Sequence, residues 1–86
     1  MLYLLPMPTV HRENGFRFFF YSNENNEPPH IHVIGKGGET KIWLRPIKVS
    51  HAYQLGPRDL REILRITNDN VILFLTKYRK WHVIRN

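Results

Sequence analysis

Residues 9–22 read Thr9-Val10-His11-Arg12-Glu13-Asn14-Gly15-Phe16-Arg17-Phe18-Phe19-Phe20-Tyr21-Ser22. Asn-Gly flanked by β-prone runs is a strong hairpin signal, because both residues tolerate the positive φ of a tight turn. The chain therefore opens as two antiparallel strands. Asn23 to Pro29 follow as a polar loop closed by two prolines, and His30-Ile31-His32-Val33-Ile34 alternates as a third strand. Gly35-Lys36-Gly37-Gly38 reads as a turn, and Glu39 to Arg45 alternates again. Pro46 has no N–H to give a ladder, so it marks a bend or an edge, after which Ile47 to Ser50 forms a short last strand.

Beyond this the period changes from two to 3.6. Gly56-Pro57 starts a helix with Leu60, Ile63, Leu64 and Thr67 on one face. Asn68-Asp69-Asn70 breaks it and caps a second helix, whose inner face carries Val71, Phe74, Leu75, Tyr78 and His82, with Trp81 at the edge. The expected fold class is α+β: an antiparallel meander of four to five strands followed by two helices packed on one face. The 86 residues suit a single domain, 1–86, without linker or repeat.

Composition removes several chemistries. There is no cysteine, so disulfides, thiolate metal sites and thiol nucleophiles are excluded. No run approaches the roughly 18 apolar residues of a membrane span, and Met1 to Pro8 lacks the basic start of a signal peptide. A soluble cytoplasmic protein is expected. Its net charge is +6, and the excess is one-sided: residues 1–40 carry −1 and residues 41–86 carry +7. Such asymmetry points to a polyanion or an acidic protein as partner.

Strand parity divides the sheet into two faces. Phe16, Phe18, Phe20, Ile31, Val33, Ile42, Leu44, Ile47 and Val49 meet the helices. The opposite face then carries Arg17, Phe19, Tyr21, His30, His32, Lys41, Trp43 and Arg45. Aromatic rings stack on unpaired bases, and Lys and Arg neutralise phosphates, so this face suits single-stranded RNA. Phe19 and Trp43 have another use, packing against a loop, the N-terminal segment or a second subunit in a homodimer. Arg58, Arg61 and Arg65 form a stripe on the first helix that reads as a solvated face, since Asp59 and Glu62 lie among them. Lys77 to His82 is the densest basic cluster, and it serves a polyanion or the dipole of its own helix equally well.

His30 and His32 share one side of a strand, about 6.5–7 Å apart. A metal would need a third ligand from Glu24, His11 or His51, which nothing in the sequence positions, so no metal and no cofactor is assigned. Acid–base work needs less. His30 and His32 would act as base and acid on RNA, Arg17 and Lys41 would stabilise phosphate charge, and Tyr21, Phe19, Trp43 and Arg45 would hold the substrate. The plainer reading makes the histidines outward polar positions, or caps on the Pro28-Pro29 turn.

Met7-Pro8-Thr9-Val10, Gly15 to Ser22, Glu27-Pro28-Pro29-His30-Ile31-His32-Val33 and Lys41-Ile42-Trp43-Leu44 together resemble the bacterial family known as domain of unknown function 4160. The resemblance runs from Met7 through most of the chain, with Trp81 matching a tryptophan near the end of the family's last helix, although this chain stops soon after. It implies that residues 1–6 are an extension or alternative start. It also implies a cytoplasmic protein encoded beside a second small gene, in a pair resembling a toxin–antitoxin module. It implies no established activity. The function expected is a toxin-like component acting on RNA, with metal-independent cleavage as its chemistry and a small acidic antitoxin-like protein as its restraint. The alternative is a non-catalytic regulator or adaptor that docks protein or nucleic acid.

Overall fold

The computed structural model describes residues 9–21 and 26–82; the extension expected over 1–6 and Glu24 lie outside them. Five strands, β1 (His11–Glu13), β2 (Phe16–Phe19), β3 (His30–Gly35), β4 (Gly38–Leu44) and β5 (Ile47–Tyr53), precede two helices, α1 (Pro57–Asp69) and α2 (Val71–His82). The strands pair antiparallel in chain order, β1-β2-β3-β4-β5. The expected meander with two trailing helices is what forms.

The local causes are those that the residue types supply. Asn14 and Gly15 take φ 51° and 83°, the paired left-handed values of a two-residue hairpin turn. Lys36 and Gly37 repeat the device at 52° and 81° between β3 and β4. β5 runs three residues past the expected Ser50. A bulge permits this: Ile42 faces Val49 and Lys41 faces His51, so Ser50 is the extra residue and the alternation restarts one position later.

One face of the sheet packs on the helices. Phe16, Phe18, Phe20, Ile31, Val33, Ile42 and Leu44 join Ile63, Ile66, Phe74 and Tyr78 in a single buried cluster. Pro57 occupies the first turn of α1, where its missing N–H costs nothing. Asn68 and Asp69 do not break α1, as their composition suggested. Arg65 holds Asp69 at 2.8 Å, one turn away, and keeps the last turn helical. The break falls on Asn70 alone. Its N–H reaches the carbonyls of Ile66 and Thr67, its amide Nδ2 donates to Ile66 O at 2.8 Å, and its carbonyl accepts the N–H of Phe74. One residue thus closes α1 and opens α2.

Arg65 fastens α1 to the first hairpin. Its guanidinium meets Glu62 at 2.8 Å and, across 52 residues of chain, Glu13 at 2.9 Å. Glu62 also accepts a hydrogen bond from the Asn14 amide. The guanidinium and this amide hold the Glu62 carboxyl down at about 2, from 4.5. Because the folded value lies below the ordinary one, the stabilisation is complete above about pH 4.5 and drains away as pH falls toward 2. Urea midpoints of the wild type and of Glu62→Gln should therefore differ most at pH 7, draw together below pH 4.5 and converge only as pH falls through 2. A gap that stays constant over that range would show that Glu62 takes no part in the link.

Candidate functional site

The face away from the helices carries most of the residues that strand parity assigns to it. Arg17 lies opposite Ile34, Phe19 opposite His32, His30 opposite Trp43 and His32 opposite Lys41. The outward row on β5 is Lys48, His51 and Tyr53. Arg45 is exposed in the β4–β5 turn.

Burial separates these residues into two groups. His30 is only 1% exposed. Its ring meets the edges of Trp43 and Tyr78 at 5.6 and 5.8 Å, and its Nδ1–H donates to the Pro28 carbonyl at 2.9 Å. This corrects the expectation that both imidazoles reach solvent. His30 fastens the Pro28-Pro29 turn, and its burial removes it from proton exchange with a bound strand. Phe19 is likewise buried, at 2%. The Arg17 guanidinium lies over its ring at 4.6 Å, and Tyr21 and His32 close its edges at 5.1 and 5.9 Å. Its expected role as a stacking platform for a base is therefore corrected too, since its face is already covered. Lys41, expected to meet phosphate, is 9% exposed, ion-paired with Glu27 and 4.5 Å from the Trp43 ring. Glu27 neutralises the charge that a phosphate would need.

A second group remains accessible. Arg17, Tyr21, His32 and Trp43 are half-buried, whereas Arg45, Lys48, His51 and Tyr53 are exposed. Arg17 is aimed by its Nε, which donates to Thr9 Oγ1 at 2.7 Å. Tyr21 and His32 meet edge to face at 4.6 Å. Between them and β5 lies a cleft of about 120 Å³, with Tyr21, His32, Ile34, Glu39 and His51 on its walls. In the sequence His51 stands only as one of three candidates for a third metal ligand. Its signal was the adjacent polar pair Ser50-His51, which breaks the alternation of β5 and marks the bulge.

The remaining sequence candidates fall elsewhere. Among the described residues no cluster of three His, Asp or Glu side chains is placed to hold a metal ion. The α1 arginines line a larger groove of about 700 Å³ with Asn14, Lys36, Asp59 and Glu62. Arg65 is committed to its carboxylates there, as the solvated-face reading expected, and Lys36 lies 3.9 Å from Asp59. In the basic cluster at the end of α2, His82 is buried and places Nδ1 2.9 Å from Tyr78 O and Nε2 3.3 Å from Tyr21 O. It ties the helix to the strand end that bears Tyr21, and leaves Arg79 and Lys80 exposed. No described helix is long and apolar enough to cross a membrane.

No curated protein and no solved structure matches the sequence. The sequence model of one family, described as "Domain of unknown function (DUF4160)", matches residues 15–79.

Proposed function

The chain belongs to the DUF4160 family, whose description names no activity, and from its own open sheet face we propose an RNA-directed protein. It binds single-stranded RNA across β2 to β5 and serves as the toxin-like component of a bacterial two-gene module in the cytoplasm. A small acidic protein would restrain it by competing for the same cations. Metal-independent cleavage of the bound strand belongs to this reading, with His32 in the acid–base role expected of it and Arg17 near the phosphate.

One observation carries the proposal: accessible aromatics and cations interleave on the sheet face opposite the two described helices. Tyr21 and Trp43 offer ring surface, and Arg17, Arg45 and Lys48 offer charge, all half-buried or exposed. Stacking is worth about 1–3 kcal/mol per base, and each phosphate contact on a single strand steepens the salt dependence of log K by about 0.7. Fluorescence anisotropy with a labelled RNA 12-mer should show affinity falling steeply from 50 to 200 mM salt. Arg45→Glu/Lys48→Glu should weaken binding at least about tenfold and flatten that slope. Trp43→Ala should weaken it about tenfold and leave the slope unchanged. Undetectable binding at 50 mM salt would remove RNA from the reading.

The adaptor reading has one observation in its favour. Glu27 neutralises Lys41, and Glu39 adds negative charge to the same face. A face docking protein through Trp43 and Tyr53 would give a stoichiometric complex nearly indifferent to salt.

A further inference from the structure

We propose that His32 and His51 form the acid–base pair of a 2′-hydroxyl-dependent RNA cleavage site, with the scissile phosphate seated in the cleft between β3 and β5. The inference rests on the RNA-directed reading and places its chemistry.

Three adjacent strands supply the geometry. His32 faces Lys41 on β4, and Lys41 faces His51 on β5. The two imidazoles therefore stand two strand spacings apart at their Cα atoms, about 10 Å, and both line the same cleft. The cleft volume of about 120 Å³ equals roughly four waters at about 30 Å³ each. That is room for one phosphodiester, not for a nucleoside, so the bases must lie outside, toward Tyr21 and Trp43. The bulge at Ser50 is what makes the pair. With strict alternation Ser50 would face outward and His51 would turn to the helices.

His51 is exposed, and its Nδ1 lies 3.3 Å from Ser50 Oγ. This contact steadies the ring, and Nε2 has no hydrogen-bond partner among the described residues. Tyr21 and Phe19 flank the His32 ring at 4.6 and 5.9 Å, fixing its plane at the opposite wall. Arg17 is paired with Ile34, which lines the cleft, so its charge acts from the neighbouring strand on the negative charge that develops on the phosphorane. Glu39, also on the cleft wall, acts against phosphate binding and should keep the affinity modest.

The step balances with these groups alone. One imidazole takes the proton of the 2′-hydroxyl. The 2′-oxygen bonds to phosphorus, the bond from phosphorus to the 5′-oxygen breaks, and that oxygen takes a proton from the other ring, which enters the step as imidazolium. The products are a 2′,3′-cyclic phosphate and a 5′-hydroxyl. Solvent then resets the two rings.

The test uses the full chain with a 5′-labelled single-stranded RNA 20-mer and its all-2′-deoxy counterpart, both in chelator. RNA should be cut to cyclic-phosphate ends and the deoxy strand left intact. His51→Asn should slow cutting by about 10²–10⁴-fold, while its affinity for the deoxy strand stays within about twofold. His51 is exposed, so this variant keeps its fold, and a wild-type melting curve verifies it; His32→Asn should show a comparable loss. Cutting by His51→Asn at the wild-type rate, or cutting of the deoxy strand, overturns the pair. Wild type that binds RNA without cutting it overturns the pair and leaves the binding reading standing. Absence of both binding and cutting overturns the two together.

Discussion

Gly38→Ala is expected to destabilise the protein by about 3 kcal/mol, a fall in Tm of roughly 12–24 °C for a domain of this size. A Cβ at Gly38 would stand 2.5 Å from the carbonyl oxygens of both Tyr53 and Gln54 and 2.6 Å from Leu55 Cγ. Two of these three atoms are backbone, so no side-chain rotation relieves the clash. The segment that leaves β5 for α1 crosses directly over this residue, with Gln54 at φ 56° to make the bend. Moving it would spoil the Glu39–Tyr53 and Lys41–His51 pairings that bring His51 to the cleft. Gly37→Ala is the matched control. Its φ is 81° but no atom lies within 4 Å of the added Cβ, so only backbone strain remains, about 1–2 kcal/mol. Thermal melts of the two variants should differ clearly, and equal losses would refute the close crossing.

Phe74→Ala should cost about 3–5 kcal/mol, a large part of the 5–15 kcal/mol that holds a domain folded. Phe74 is fully buried, stacks on Phe18 at 5.4 Å and meets the His11 ring edge-on at 5.9 Å. Through these two rings α2 meets the hairpin strands β1 and β2. β1 has only three residues, so this contact adds to a short ladder with β2 and to the Arg65–Glu13 pair. Urea titration followed by circular dichroism should show the midpoint shift. Ile72→Ala, at 74% exposure on the outer side of the same helix, should stay within about 0.5 kcal/mol of wild type.

The sheet was legible because its signals are local. Asn14-Gly15 specifies a turn from two residues, and Phe16, Phe18 and Phe20 specify a face from their spacing. The helices were legible from period, except that Ile66 is fully buried beside Ile63, where Leu60 and Leu64 were expected to share that place. What parity could not give was cover. It placed His30 on the correct side of β3, but the loop carrying Pro28 folds back against its ring, and that return follows from tertiary contacts. Lys41 was read as a free cation because its partner Glu27 lies 14 residues away in a polar loop. His51 was missed because a single bulge reverses the meaning of odd and even along β5. The family membership that the motifs from Gly15 to Leu44 suggest holds.

The order of elements along the chain has a consequence for the protein's birth. Every strand pairs with its neighbour in sequence, so the sheet is able to assemble as soon as residue 53 has left the ribosome. Its phenylalanine side then has nothing to rest on until α1 and α2 emerge, and Phe74 comes only with the second of them. For that interval the nascent polypeptide presents a bare oily slab to its surroundings, and a chain cut short before α2 would be a species prone to clump.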